Sequence, residues 1–479
     1  GRRCRFVNQC PFFNARNELD ESEVIVANHD LVMADLALGG GAILPPPEDC
    51  IYIFDEGHRL GDTAVRHFGA ECRINSTLSW LERLPKQIKG QTPVFAKDTG
   101  LSEQLPRIEK EAGKITELLS MSYPLLKQYV DQSDHAEGRY RFAHGDVGEA
   151  IRDLASQITL RTSGWLGRLE VLEDTLSDAL SDKQYPVPLP DIELFYQQAG
   201  NWLGRAEKLL ALWDRLHKEL QQNEMPMACW LKLDEAGGGN VDISINASPI
   251  QAAEILRQQL WGSCYAAVVT SATLRSLGNF NTLQRETGMP NTANFVSVAG
   301  AFDYAAAATV RVPSDAVEGN SVEEHSRYIV DNFESLVENK AGTLLLFSSK
   351  RQMEQVYDEL SGDMHKLILI QGQYSNREMV RLHKERVDQG RTSILMGLAS
   401  FAEGVDLPGN YCKHVVIAKL PFAVPDDPLQ EALAEWIEDN GGNSFFDISL
   451  PIASLRLIQA CGRLLRTESD TGTVTILDK

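Results

Sequence analysis

The chain is expected to be an α/β protein with two doubly wound parallel-sheet domains, the first interrupted by a helical insertion. Three observations lead there. Short, β-branched, almost wholly apolar runs recur along the 479 residues, as the strands of buried parallel sheets do. Helix-length amphipathic stretches separate many of these runs, the alternation that parallel pairing requires. Between about residues 76 and 239 the pattern changes to long helical stripes.

The strand runs, in order, are Val24–Ala27, Ile51–Phe54, Ala267–Thr270, Thr343–Phe347, Leu367–Ile370, Ser393–Met396, His414–Ile417 and Thr473–Leu477. Within the insertion, Trp202, Ala206, Leu209, Trp213, Leu216 and Leu220 step by three and four, which predicts one helix with a single apolar stripe. Leu166, Leu169, Leu172, Leu176 and Leu180 predict another. These residues are read as packing, with no chemistry. Pro186–Pro190 and Gly237–Gly239 punctuate the block. The expected organisation is a short segment over 1–17, a first domain over 18–75 plus 240–285, the insertion over 76–239, and a second domain over 286–479.

Composition excludes several classes. A hydrophobic content of 43% with 24% charged residues is that of an ordinary globular protein. No apolar stretch approaches the ~20 residues of a membrane-spanning helix. Eight cysteines in this length do not make a disulfide scaffold and suit a reducing cytoplasm. A formal charge of -21 argues against a surface coated in nonspecific nucleic-acid affinity, while leaving room for a narrow basic channel.

Asp55-Glu56-Gly57-His58 follows the apolar run Ile51–Phe54 directly. A strand that ends in two carboxylates delivers them where α/β sheets bind ligands. The first can hold Mg²⁺, and the second can orient or deprotonate an attacking water. Alone, the same residues also make an ordinary polar turn. Thr270-Ser271-Ala272-Thr273-Leu274 ends the next run; its hydroxyls can hydrogen-bond an acidic box or simply form a turn. Gly397–Gly409 follows a later run, and Glu403, Gly404 and Asp406 in it could meet a ribose or an arginine. In Gln459–Arg466 a helix would place Gln459, Arg463 and Arg466 on one face at i, i+4 and i+7. Two cations there suit a triphosphate, though a solvated basic face has the same composition.

Taken in this order, acidic box, Thr-Ser-Ala-Thr, the strand with Leu344–Ser349, the Ala402–Asp406 loop and Gln459–Arg466, the series resembles superfamily 2 DNA helicases. Within them it is most similar to the XPD-like iron–sulfur group and its bacterial damage-inducible branch, on Asp55–His58, Ala27–Leu31, Ala402–Asp406 and Gln459–Arg466. The resemblance covers essentially the whole chain. It implies two RecA-like domains with an Arch-like insertion, a monomer, ATP and Mg²⁺ as ligands, and a [4Fe–4S] cluster. It implies Asp55 on Mg²⁺, Glu56 activating water, and His58 coupling the box to Ser271 and Thr273. Glu403, Gly404 and Asp406 would couple nucleotide state. Gln459, Arg463 and Arg466 would reach the triphosphate when the two domains close. Cys4 and Cys10 would be the last two cluster ligands, with residues 1–17 the remnant of that domain. The implied partners are single-stranded DNA and forked or overhang duplex DNA, moved 5′ to 3′, with RNA–DNA hybrids left open and no membrane.

The chain departs from the family in one respect that matters. No G-x-x-x-x-G-K-[ST] occurs; Gly113-Lys114 lacks the earlier glycine and is followed by Ile115. Two of four cluster cysteines are also missing. The expectation is therefore a piece of a longer helicase, weak or inactive alone as an ATPase and unable to complete a four-cysteine cluster. A nonhydrolytic single-strand-binding module of helicase shape is the alternative. A nuclease has little support, since no separate cluster of acidic metal ligands stands out.

Overall fold

The computed structural model describes residues 9–133, 138–219, 224–236, 240–300, 302–319, 321–337, 342–399, 401, 405–422 and 427–479. The chain divides into two compact units. The first takes the chain up to Val269 together with Arg285–Pro290 and Pro425–Gly442; the second takes Thr270–Gln284, Asn291–Val424 and Asn443–Lys479. The division falls between Val269 and Thr270, so the whole Thr-Ser-Ala-Thr segment and residues up to 284 group with the second unit, where the expected first domain had included them.

In the first unit β1 (Ile51–Phe54) pairs in parallel with β6 (Ala266–Val269), Ile51 opposite Ala266 and Phe54 opposite Val269. One side of the pair is covered by α1 (His29–Ala37) and α2 (Leu60–His67), with Met33, Leu36, Phe54, Leu60 and Leu260 buried together. The other side is open: Ile51 and Ile53 are 61% and 71% exposed. Val24–Ala27 does not form the expected strand, and Val26 is 96% exposed. Its backbone has no strand partner among the described residues, and an extended run without a ladder is not a sheet element.

The insertion is helical but not wholly so. α3 (Thr99–Asp131), α4 (Glu149–Ser181) and α5 (Leu189–His217) pack along one another around Trp165, Leu169, Leu172, Trp213 and Leu212, as the apolar stripes predict. Against them lies a four-stranded antiparallel sheet of order β2-β5-β4-β3, where β2 is Ala70–Arg73, β3 Arg139–Phe142, β4 Met227–Ala236 and β5 Asn240–Pro249. The sequence reading missed it because these strands alternate polar and apolar residues and so lack the continuous apolar signal of the parallel ones. On β5, Ile243 and Ile245 are buried, and the equally buried Asp242 accepts hydrogen bonds from the backbone of Asn75 and Ser76 at 2.8 and 3.0 Å. The late helix Pro428–Asp439 belongs to this unit too. Arg141 of β3 donates to its Glu431 and Glu435 at 2.7 and 2.8 Å.

The second unit is a six-stranded, wholly parallel sheet of order β7-β12-β11-β8-β10-β9. Its strands are β7 (Ala308–Arg311), β8 (Gly342–Phe347), β9 (Ile368–Ile370), β10 (Ser393–Leu398), β11 (His414–Ile417) and β12 (Gly472–Ile476). All six residues of β8 are buried. One face packs on α6 (Val322–Leu336) and α7 (Lys350–Glu359) through Ile329, Phe333, Met353 and Val356. The other packs on α8 (Asn376–Asp388) and α9 (Leu450–Cys461) through Met379 and Ala460. Helices on both faces explain why the inner strands are mostly apolar. Buried His383 of α8 lies 2.9 Å from Ser393 Oγ and 2.8 Å from the Tyr411 carbonyl, tying helix to sheet. Among the described residues no helix is long and apolar enough to cross a membrane.

Candidate functional site

On the first unit the acidic box stands at the carboxyl end of β1. Phe54 anchors the strand: it is 3% exposed and meets His29 and Trp261 edge-on at 5.7 and 6.2 Å. His29 opens α1, whose N-cap Asn28 accepts from Leu31 N at 2.8 Å, so the Ala27–Leu31 motif supports the strand that presents the box. Asp55 and Glu56 both point into solvent, and Asp55 Oδ1 accepts from the Glu56 backbone N–H at 3.0 Å. Glu56 adopts φ 49°, ψ 42°, the left-handed region that a side-chain-bearing residue rarely enters. Such strain concentrates at functional positions, where the surroundings hold it in place. His58, largely buried, sets Nδ1 3.3 Å from Glu56 Oε2.

The second unit gathers the other motifs. Thr273 is 6% exposed, and its Oγ1 accepts from Gln459 Nε2 at 3.1 Å. The Thr273 N–H donates to Ser271 Oγ at 3.3 Å, which orders the hydroxyl turn. Three residues on, buried Ser276 donates to the Pro451 carbonyl at 2.9 Å, so this segment lies along α9. The one-face geometry expected for Gln459, Arg463 and Arg466 needs correcting. α9 ends at Cys461, and both arginines lie in the turns that follow. Gly462, at the C-cap, and the return of the chain towards β12 stop the helix there. The arginines nevertheless converge: Arg463 Nη1 and Arg466 Nη2 each approach the Val405 carbonyl at 3.4 Å, and Arg466 Nε lies 3.6 Å from Asp406 Oδ1.

Asp470 was not singled out from the sequence. It is 3% exposed, and its carboxylate takes four donors from the loops bearing Arg466 and Gly409. Burial pushes its pKa up, but the hydrogen bonds from Arg466, Thr467 and Gly409 outweigh that and hold it below the usual carboxylate value. An acidic residue four places after the last arginine was the only signal for it. Nothing in the sequence announced the left-handed backbone at Glu56.

Cys4, Glu403 and Gly404 lie outside the described residues. Cys10 is half-buried at the N-cap of the short helix Pro11–Asn17. Among the described residues no group of three or more His, Cys, Asp or Glu side chains could hold a metal ion. One described thiol in this segment does not by itself make a cluster site.

An acidic box at a strand end in one unit, with a hydroxyl turn bonded to Gln459 and a paired-arginine loop in the other, is the motif series of a helicase. Residues 333–479 match the helicase C-terminal domain family. The ATP-dependent DNA helicase DinG of Photobacterium profundum is 35% identical over 482 residues, covering 98% of this chain and 67% of its own length. DinG of Escherichia coli K12 is 32% identical over 489 residues, covering 100% of this chain and 66% of its own. The chain therefore belongs to the DinG family of ATP-dependent DNA helicases, and spans about two thirds of the length of these relatives. Two solved structures share the fold at low identity. S. tokodaii Xpd4 has a TM-score of 0.51 at 15% identity, covering 91% of this chain and 73% of its own. An XPD helicase has a TM-score of 0.54 at 15% identity, covering 98% and 71%.

Proposed function

We propose that this chain carries the motor chemistry of a single-stranded-DNA translocase: ATP hydrolysis that drives 5′ to 3′ movement and separates forked or overhang duplexes. The observation that carries the reading is the hydrogen-bonded assembly in the second unit, where Thr273 meets Gln459 and both arginines meet Val405. Three motifs far apart in sequence are held together there, which structural need alone does not require.

On this reading Asp55 would hold Mg²⁺ and Glu56 would align the attacking water. Bound Mg²⁺ would neutralise phosphate charge. The left-handed backbone of Glu56 would present its solvent-facing carboxylate beside His58. His58 and the hydroxyls of Ser271 and Thr273 would pass nucleotide state to Gln459. Arg463 and Arg466 would stabilise the charge that develops on the γ-phosphoryl group, exchanging the weak Val405 carbonyl for phosphate oxygens. Cys4 and Cys10 would serve as two thiolate ligands of a [4Fe–4S] cluster. Single-stranded DNA would be gripped by its backbone and by base stacking, the sequence-tolerant mode a translocase needs.

The sequence contains no G-x-x-x-x-G-K-[ST], which favours a second reading, a nonhydrolytic single-strand-binding module. One comparison separates the two. Steady-state ATPase is measured with and without single-stranded DNA for the complete gene product and its Glu56→Gln variant, the chain of residues 1–479 alone being expected to turn over weakly or not at all. The motor reading expects stimulated turnover that falls by about 100-fold or more in the variant, with the fold unchanged. Tight DNA binding without turnover in either protein would establish the binding module.

A further inference from the structure

We infer that Asp470 is a positioning residue for hydrolysis: it splices the loop that carries Arg466 to the loop that carries Asp406, so that Arg466 is presented from a fixed surface. Asp470 Oδ2 accepts from the backbone N–H groups of Arg466 and Thr467, each at 2.8 Å. Its Oδ1 accepts from Thr467 Oγ1 at 2.8 Å and, 61 residues away in sequence, from Gly409 N at 3.1 Å. One carboxylate thus saturates its acceptor capacity on two loops at once.

The chemistry of the site needs this. Arg466 lies past the end of α9, beyond the last helix-type backbone bonds, which run from Arg463 N to the Ala460 carbonyl at 3.3 Å and from Leu464 N to the Cys461 carbonyl at 3.0 Å. Arg466's own contact to Val405 is long, at 3.4 Å, and its pair with Asp406 is solvent-exposed, so neither fixes the loop. Asp470 is by contrast buried, charged and fully bonded, which is where rigidity comes from. Gly409, at φ +65°, lies in a left-handed turn that brings its N–H to the carboxylate. Loss of the carboxylate would leave the Arg466 guanidinium intact and free to wander, and misplacement by about 1 Å is enough to cost roughly 100-fold in rate.

The inference rests on the arginine roles proposed above, and its test keeps the two apart. Asp470→Asn, Arg466→Ala and the double variant are compared with the unaltered protein in single-stranded-DNA-stimulated ATPase. Positioning through Arg466 expects Asp470→Asn to lower kcat by about tenfold or more, with DNA affinity changed less than about twofold. The double variant should be no slower than Arg466→Ala alone to within about twofold, because a lost position cannot be lost twice. Multiplicative losses would overturn the inference. Amide hydrogen exchange is read on the same proteins. In Asp470→Asn, peptides containing Gly409 and Arg466–Thr467 should exchange at least about tenfold faster, while β8 and α7 are unchanged. Unchanged exchange at both loops would overturn the inference even if no ATP is turned over, which is the outcome that defeats the motor reading instead. Should Asp470→Asn fail to fold, Asp470→Glu, which keeps the charge and displaces it by a methylene, should show the same loop-restricted exchange and the same dependence on Arg466; neither appearing would sink the idea.

Discussion

The two units present their chemistry on very different supports. In the first, Asp55 and Glu56 stand at the end of a two-stranded pair whose outer face is exposed at Ile51 and Ile53. In the second, Gln459, Arg463 and Arg466 lie beside a six-stranded sheet covered on both faces, its central strand buried at every residue. The acidic box is held by local means: a strained residue, one imidazole, one aromatic cluster. The arginine loop is held by Asp470, which joins Arg466 to Gly409, while Gln459 ahead of it is bonded to Thr273. A carboxylate can be delivered by a strand end, because the strand fixes its direction. An arginine at the end of a long side chain, on a turn, needs its backbone fixed by something else.

The largest expected effect probes that difference directly. Arg463→Ala should reduce ATP hydrolysis by about 10³-fold, as removal of an arginine that stabilises phosphoryl transfer does. Single-stranded-DNA affinity, read by fluorescence anisotropy, should stay within about twofold. Equal loss of both would remove Arg463 from the phosphate and return it to the DNA or to the fold.

Stability should divide along the same line. Leu345 of β8 is 2% exposed between two helical layers, and Leu345→Ala should cost about 3 kcal/mol through lost burial and the cavity left behind. Ile53 of β1 is 71% exposed, and Ile53→Ala should cost less than about 1 kcal/mol. Denaturant midpoints of the two variants give the comparison, and similar losses would mean that β1 is covered in solution.

Acid and alkali should act on the units in opposite directions. In the second unit, burial lowers His383 from 6.5 to about 4. The unfolded chain then binds the proton first, so the contribution is complete above about pH 6.5 and is lost as pH falls towards 4, by up to about 3 kcal/mol. In the first unit, burial and then the neighbouring Asp62 raise Glu286 from 4.5 to about 7, against the pull of Arg285. Its contribution is complete below about pH 4.5 and is lost as pH rises through 7. Thermal melts across this range should flatten on the acid side in His383→Gln and on the neutral side in Glu286→Gln. A pH slope unchanged in either variant removes that residue from the account.

The smallest effect concerns the hydroxyl turn. Thr273→Val leaves the Gln459 amide without its partner and should cost about 1 kcal/mol of stability. It should slow hydrolysis more than it weakens nucleotide binding if the bond reports nucleotide state.

Seven of the eight apolar runs became strands, and the helical stripes are buried at Trp202, Ala206, Leu209, Trp213, Leu216, Leu169, Leu172 and Leu176, with Leu220 outside the described residues. Val24–Ala27 failed because strand propensity does not supply a neighbour. β2 to β5 were missed because antiparallel, half-polar strands look like loops in a scan for continuous apolar runs. The helix drawn through Arg463 and Arg466 was one turn too long, yet the residues converged, because tertiary hydrogen bonds did what a helical face was expected to do.

What the sequence determined by itself was the set of reactive groups and their order: carboxylates after a strand, hydroxyls after the next, a glutamine and two arginines near the end. Apolar periodicity and turn residues are local properties, and they place such groups at element ends without knowledge of the rest. Only the tertiary structure decided which groups meet. That Thr273 bonds Gln459, that Glu56 is held in a left-handed turn, that Asp470 joins loops 61 residues apart and that Pro428–Asp439 packs with the first unit all depend on contacts between distant segments. Such contacts form when burial makes an unpaired polar group costly and a partner is within reach, a condition that exists only once the chain has folded.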